Sequence, residues 1–566
     1  MTATTYRLRL LRFAGSCLLA ATLLVAVNGQ AATVTWTNTT GGTWDNVNGS
    51  YWSPATPPAS NDVVNLTKAT AANMVIDYAA TSPNMFGKIT ISNSAAATTT
   101  LQVSNNYVLA FGQKYNTMNF YLGGAISQSA GLIAGSNTES DIHFKQGGTY
   151  TMTGGTSTWR AVYMSPLSGS ALLDIQGGLI QIPDSGEYGL TVGAGNGSAE
   201  LRQSSGTFNP ASDTLIGSNG VFNLSGGTIN NRTFFSDGGS SVHQTAGTNS
   251  TSYEVCVAGM KPAWSGNTNI TTYTLDGGLL SGRALIVGVG KTNVVGGAGR
   301  FNQNGGTVSV GNGTYWVTVS HSNATLASSY TYKGGVIRQG SSSGTDLTVY
   351  QLGTFQGYGN GINGSGRTLN NSGRIIADGY GSAQTLDLST FGTVANAFEN
   401  TTNHGWFAVN QGKLTLPTQS VAAVTITTNT FGEATTDPVL DLVNSARIVL
   451  TSVTGGSGKL GCSLLAPDRS DVPAGLENPI GVWQFATDGF SFGSAALTFR
   501  YDADRMTALR LTDVHMQVMR HTGSAWVRVP STVNAADKTI TTDPVTTLSL
   551  YAVDGRLPRG TVVLLR

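Results

Sequence analysis

Three tryptophans, Trp159, Trp264 and Trp316, stand in or beside stretches that interrupt an otherwise repetitive sequence. An indole offers a flat apolar face on which a sugar ring can stack, so these three are the candidate glycan-binding residues. The same ring also serves to fill the interior of a repeat protein or to shield a loop base. The six histidines, at positions 143, 243, 321, 404, 515 and 521, form no i,i+4 pair and have no cysteine pair of zinc spacing nearby, so no metal set is read and no cofactor is expected. Asp502 and Asp504 carry the oxygens that Ca²⁺ takes, but without the glycine-rich nonapeptide of a calcium-binding roll they read as a solvated turn. Gly340 to Gly344 fits G-x-S-x-G, and Gly359 to Gly364 fits G-x-G-x-x-G. The first motif works only at a strand-to-helix elbow and the second only where it opens a helix, and neither setting is present. No residue is assigned as catalytic, and the chain is read as a non-enzyme.

The elements that would position such residues are read from a recurring phrase: an alternating apolar strand, a Gly-Gly or Ser/Ala-Gly corner, then a second strand led by Thr or Leu. It appears as HFKQGGTYTM from His143, LLDIQGGLIQI from Leu172, ELRQSSGTFN from Glu200, VFNLSGGTIN from Val221, VHQTAGTN from Val242, YTLDGGLLSG from Tyr273, FNQNGGTVSV from Phe301 and YTYKGGVIRQ from Tyr332. Such self-similarity marks a solenoid, one supersecondary unit stacked on copies of itself. The corner glycines Gly178, Gly206, Gly227, Gly247, Gly278, Gly306 and Gly335 fall at uneven intervals. A coil of roughly 20 residues with insertions confined to its turns accounts for that spacing. Alternation with Thr, Val, Tyr and Phe predicts strands, and the repeating unit reads as a strand pair.

Composition narrows the class. Charged residues are 11% of the chain and Gly is 73 of 566, a balance that suits turn-rich stacked strands. The first 31 residues read as a secretory leader, with Arg7, Arg9 and Arg12 ahead of the apolar run Phe13 to Val27. That run is shorter than the roughly 20 residues of a membrane span, so no retained anchor is expected. Removing the leader leaves 28 basic against 30 acidic side chains, a net charge of −2, which argues against nucleic acid as a partner. Cys256 and Cys462 are the two cysteines beyond the leader and make no disulfide framework.

After Thr33 the sequence VTWTNTTGGTWDNVNGSYWSP sets Trp36, Trp44 and Trp52 eight residues apart between turns, which reads as a hydrophobic lid on an open solenoid end. This T-W…G-T-W-D…W-S-P opening, followed by coils such as LTVGAGNGSAELRQSSGTFN from Leu190 and TLIGSNGVFNLSGGTIN from Thr214, resembles secreted bacterial β-helix repeat proteins related to autotransporter passengers, over roughly residues 33 to 434. The resemblance implies a right-handed parallel β-helix at the cell surface or outside the cell, used as a stalk, adhesin or matrix component. The chain shows neither the C-terminal membrane barrel of such proteins nor a Pro-Glu-Pro sorting signal, and ends in GRLPRGTVVLLR. Enzymes on this fold are the main alternative. The Asp-Asp, Asn-Thr-Asp and Arg-Ile-Lys elements of polygalacturonase-like glycosidases are missing and only His404-Gly405 matches, while the Arg-x-Pro-x-x-Arg of pectate lyases is also absent.

Beyond Asp437-Pro438 the corner phrase gives way to alternating runs from Arg447, Gly481, Ala495, Val514, Ser524, Lys538 and Leu548, the pattern of an antiparallel β-sandwich. The expected all-β organisation is a leader (1–31), an N-terminal β cap with first coils (32–100), parallel β-helix repeats forming about 16 coils of roughly 20 residues (101–434), and a sandwich-like domain (435–566). The expected function is a secreted or cell-surface scaffold or adhesin. Its alternatives are a carbohydrate-active enzyme and a passive glycan-binding module, with surface glycans or other cell-surface proteins as partners.

Overall fold

A computed structural model describes residues 31–557 except 46–48, 68–71, 81–84, 95–96, 112–116, 136–139, 184–187, 259–268, 289–296, 312–316, 321–323, 325, 340–343, 382–383, 396–405, 422–438, 441–445 and 454–457. The expected leader thus lies outside the described residues, apart from its last residue. Over the described residues the chain folds as a parallel β-helix built from three sheets of sixteen, fifteen and eleven strands, followed by a C-terminal region of mixed and antiparallel sheets. Each full coil visits the first, second and third sheet in turn, as in Asp213–Ile216, Gly220–Leu224 and Thr228–Asn231, before Phe234–Ser236 starts the next. The unit is therefore three strands, not a pair; the first-sheet strands are often only three or four residues long and stand at no fixed distance from the glycine corner, which hid them.

Register is parallel from coil to coil. Leu201 stands over Phe222, which stands over Val242, so each inward column repeats at one height in every coil. Alternation along Ser198–Gln203 buries Ala199, Leu201 and Gln203 and leaves Glu200 and Arg202 outside, as the two-residue period of a strand requires. The interior is a continuous apolar stack in which Tyr273, Phe301, Tyr330 and Phe355 follow one another at ring separations of 5.2, 4.8 and 5.0 Å. The second sheet runs from Gly42–Trp44 to Trp406–Asn410 with fifteen strands. Sixteen coils over 101–434 was too many, because insertions make the mean coil longer than its minimum of about 20 residues.

Three residues join the second sheet to the third in every coil from Gly124–Gln128 to Ser328–Tyr332, and the third is always glycine: Gly131, Gly155, Gly178, Gly206, Gly227, Gly247, Gly278, Gly306 and Gly335. Gly227 has φ +72°, and a Cβ there would lie 2.6 Å from the carbonyl oxygen of Gly206 one coil below; a Cβ on Gly278 would lie 2.3 Å from that of Gly247. The corner is closed to side chains on both counts. Gly147-Gly148 belongs elsewhere, at the turn from the first sheet to the second, so the phrase from His143 is not an eighth copy of this corner.

Four corners are pinned by a buried glutamine three residues before the glycine. Gln244 donates through Nε2 to the carbonyls of Gly247 and, in the next coil, Leu279 at 3.2 and 2.9 Å; Gln128, Gln203 and Gln303 make the equivalent bonds. The Oε1 of Gln244 accepts from Tyr273 of the coil above at 2.6 Å, that of Gln303 from Tyr330 at 2.5 Å, and that of Gln128 from Tyr150. Burial pushes all three phenols well above the ordinary tyrosine range, so they remain proton donors. Gln203 differs: the matching residue above it is Phe222, and its buried Oε1 has no partner.

Trp36, Trp44 and Trp52 are all buried and meet edge to face, Trp52 lying 4.9 Å from Trp36 and 5.1 Å from Trp44. Trp52–Ser53 pairs antiparallel with Thr33–Trp36, closing the exposed edge of the first coil. At the other end, Thr385–Asp387 pairs parallel with Lys413–Thr415, which pairs antiparallel with Gly458–Leu465 of the eight-stranded C-terminal sheet. Trp483, Phe485 and Tyr551 of that sheet pack on Phe499 of the five-stranded sheet at 4.8, 6.3 and 6.1 Å, giving the sandwich. All seven expected strands are present, joined by the unforeseen strands Val439–Leu440, Gly458–Leu465 and Ser531–Asn534 and the helix Ala503–Ala508.

Candidate functional site

The outward positions of the first and second sheets form two columns of very different character. On the second sheet, Asp174, Arg202, Asn223 and His243 stand in register at the surface. They bond to their neighbours: Arg202 to Glu200 at 2.6 and 2.8 Å, Asn223 to Glu200 at 2.8 Å, and His243 to Asp276 at 2.5 Å, with Asn304 donating to Asp276 at 2.7 Å. The Arg202 guanidinium holds the Glu200 carboxyl below the usual carboxylate range, and Asn304, then His243, do the same for Asp276. Polar groups satisfied along the coil axis in this way form a solvated, self-bonded surface.

On the first sheet the outward column runs His143, Tyr163, Thr191, Leu215, Phe235, Cys256, Ile286 and Thr318. From Thr191 to Thr318 every one of these is buried, and Leu215, Phe235, Cys256, Ala284 and Ile286 form an apolar cluster separate from the solenoid core. Both connections that border this sheet vary in length. Residues 258–270, 288–298 and 320–327 follow its strands, and 311–316 and 339–346 precede them. The insertions inferred from the glycine spacing thus occupy two of the three corners, and both flank one sheet.

At the polar end of that column, Asp141 holds Arg160 of the next coil through two bonds of 2.8 and 2.6 Å. His143 stacks on Tyr163 with ring centroids 4.7 Å apart, and its Nε2 lies 3.7 Å from Asp141 without a hydrogen-bond partner. The grouping has the residue types of an acid–base site. However, the same bidentate pair recurs three coils on as Asp213 and Arg232, at 2.8 and 2.9 Å and the same spacing in sequence, with Leu215 and Phe235 standing where His143 and Tyr163 stand. A carboxylate occupied at both oxygens by a guanidinium is a clamp between coils and is not poised for proton transfer.

The tryptophan candidates are not brought together. Trp159 is buried, 5.4 Å from Phe111 and hydrogen-bonded through Nε1 to Ser157 at 2.5 Å, so its ring has no open face for a sugar. Trp264 and Trp316 lie outside the described residues, as does His404. Asp502 caps the helix Ala503–Ala508 by accepting from the amides of Asp504 and Arg505, and Asp504 pairs with Arg374 of the solenoid at 2.6 Å, so both are engaged in holding the end domain. Among the described residues no group of three His, Cys, Asp or Glu converges on a metal-sized site, Cys256 and Cys462 are buried and form no disulfide, and no helix is long and apolar enough to cross a membrane. Sequence reasoning missed the glutamine–tyrosine bonds at the corners; the signal was present as Gln three residues before the corner glycine in QSAG, QSSG, QTAG and QNGG. No family model, curated protein or solved structure matches the chain.

Proposed function

We propose that this chain is a secreted or surface-displayed structural protein of the autotransporter-passenger-like kind, acting as a non-catalytic spacer or adhesin. One observation carries the reading: the solenoid is closed by a tryptophan lid at one end and a sandwich at the other, while its exposed second sheet bonds its polar side chains to one another. Fifteen strands at about 4.8 Å make a rod on the order of 70 Å long, a shape suited to holding one surface away from another. Its partners are surface glycans or other cell-surface proteins.

Expression of the full chain in a Gram-negative host, followed by fractionation, N-terminal sequencing and protease shaving of intact cells, tests this. The expected product starts at or just after Ala31 and is found outside the cell or is shaved from its surface. Purified residues 32–566 are expected to release no reducing ends or unsaturated products from pectin, alginate or neutral glycans, with or without Ca²⁺. Cytoplasmic retention overturns the location, and turnover abolished by Asp141→Asn or another single carboxylate replacement assigns a carbohydrate-active enzyme instead. Saturable glycan binding without turnover, lost on Trp264→Ala or Trp316→Ala, assigns a glycan-binding module.

A further inference from the structure

In the C-terminal domain, Val514, His515, Met516, Gln517, Arg528, Arg556 and Leu557 line a cleft of about 520 Å³. Its origin is a strand that stops short. Trp526–Val529 pairs with Val518–His521, while Met516 and Gln517 continue past it, paired on their other side with Gly555 and Asp554. Pro530 comes next, has no N–H with which to prolong the ladder, and leads into Ser531–Asn534 of the opposite sheet. The gap so left is bordered by two guanidinium groups. Among the described residues Arg528 has no acidic partner and Arg556 has only Glu477, at 3.5 Å. Asp554 behind the cleft is buried and already accepts from the amides of Glu477 and Asn478 at 3.1 and 2.8 Å and from Gln517 at 3.4 Å. The Nδ1 of His515 accepts from the Thr512 amide at 3.0 Å, so the ring presents Nε2–H as a further donor.

The apolar part of the lining is equally unusual. Val514 is 87% exposed and Leu557 44%, and with Val527 beside Arg528 they are the exposed large apolar side chains among the described residues of this domain. We propose that the cleft docks an extended acidic peptide segment of a partner protein, its carboxylates on Arg528 and Arg556 and its aliphatic side chains over Val514 and Leu557. Two guanidiniums with forked donors select carboxylates. No aromatic face lines the cleft for a sugar to stack on: Trp526, the nearest indole on the edge strand, donates its Nε1 to the Pro473 carbonyl at 2.9 Å and packs on the apolar cluster of Leu465 and Val482. Two arginines are also too few for nucleic acid, whose binding needs many phosphate contacts.

The test is fluorescence anisotropy of a labelled DVDLDV peptide titrated with residues 32–566, alongside a KVKLKV peptide and hexagalacturonate. The expected result is saturable binding of DVDLDV that weakens as salt is raised. Binding falls about tenfold or more in Arg528→Gln and in Arg556→Gln, each removing a charge-assisted contact, and by a smaller factor in Val514→Ser. All three positions are surface ones, and unchanged thermal unfolding of each variant establishes that it folds; if one does not, the other two still decide. The proposal is overturned if DVDLDV does not bind, if it binds no better than KVKLKV, or if neither arginine replacement weakens it. Hexagalacturonate binding that depends on the same arginines, without peptide binding, assigns the cleft to acidic glycans and likewise overturns it.

Discussion

The second sheet turns Asp174, Arg202, Asn223 and His243 toward solvent, whereas the equivalent positions of the first sheet, Thr191, Leu215, Phe235 and Cys256, are buried. Both columns point away from the core, and both belong to parallel ladders of the same register. The two sheets differ in what borders them. From Gly124–Gln128 to Ser328–Tyr332, one border of the second sheet is a three-residue turn ending in glycine, where a Cβ would meet the coil below. Both connections that border the first sheet vary in length. In a coil of this kind the ladder sets which residues point outward, but not whether outward means exposed.

The largest way to break this contrast is at the invariant corner. Gly227→Val places a β-branched side chain at φ +72° against the Gly206 carbonyl, and is expected to cost about 3 kcal/mol, read as a lower urea midpoint at unchanged slope. An unchanged midpoint would show that the corner can relax. Matched substitutions in the two outward columns come next: Phe235→Ala is expected to cost about 3 kcal/mol, as in a true interior. Asn223→Ala should stay within about 0.5 kcal/mol. Equal losses would mean that the two faces are not physically different.

A smaller effect, and a gain, is expected from Phe222→Tyr. It supplies the hydroxyl that Tyr150, Tyr273 and Tyr330 give to the other corner glutamines, satisfies Oε1 of Gln203, and should stabilise by about 1 kcal/mol. Gln203→Leu in that background should abolish the gain; persistence of the gain would assign it to packing. The smallest effect concerns pH. Asp237, on the connection after a first-sheet strand, has its carboxyl pushed up by burial, the reverse of Asp276 on the second sheet. With its folded value above its unfolded one, Asp237 contributes stability below the ordinary carboxylate range and loses that contribution as pH rises through the folded value. Asp237→Asn is therefore expected to gain on wild type as pH rises from about 4 toward 7, whereas Asp276→Asn should be less stable than wild type above about pH 4 and recover toward it as pH falls further. Parallel pH profiles for the two variants would refute the assignment.

Much of the scaffold was legible because its demands are local. A corner that needs positive φ and tolerates no Cβ selects glycine in nine successive coils, and a strand with one buried face alternates, so Gly178 through Gly335 and their flanking strands declared the solenoid. The Trp36, Trp44 and Trp52 spacing announced the lid for the same reason. Less visible were the first-sheet strands, whose residues are apolar on both faces, as in ALIV at Ala284–Val287, and so lack the period of a half-buried strand. Trp159 misled because an indole beside an insertion looks the same in sequence whether it faces a sugar or Phe111.

The sequence by itself determined that the chain is all-β, that it coils, and where seven of the nine glycine corners between the second and third sheets lie, since backbone sterics act over a few residues and leave the same mark in each repeat. Only the tertiary structure decided which outward face is covered, that Asp141 and Asp213 clamp arginines of the next coil, that Gln203 alone among the four corner glutamines lacks its tyrosine, and that a strand ending at Pro530 opens a cleft between Arg528 and Arg556. Each of these depends on residues about 17 to 35 positions apart being set side by side by coil stacking or by sheet packing, and such distances leave no periodic trace in a single sequence.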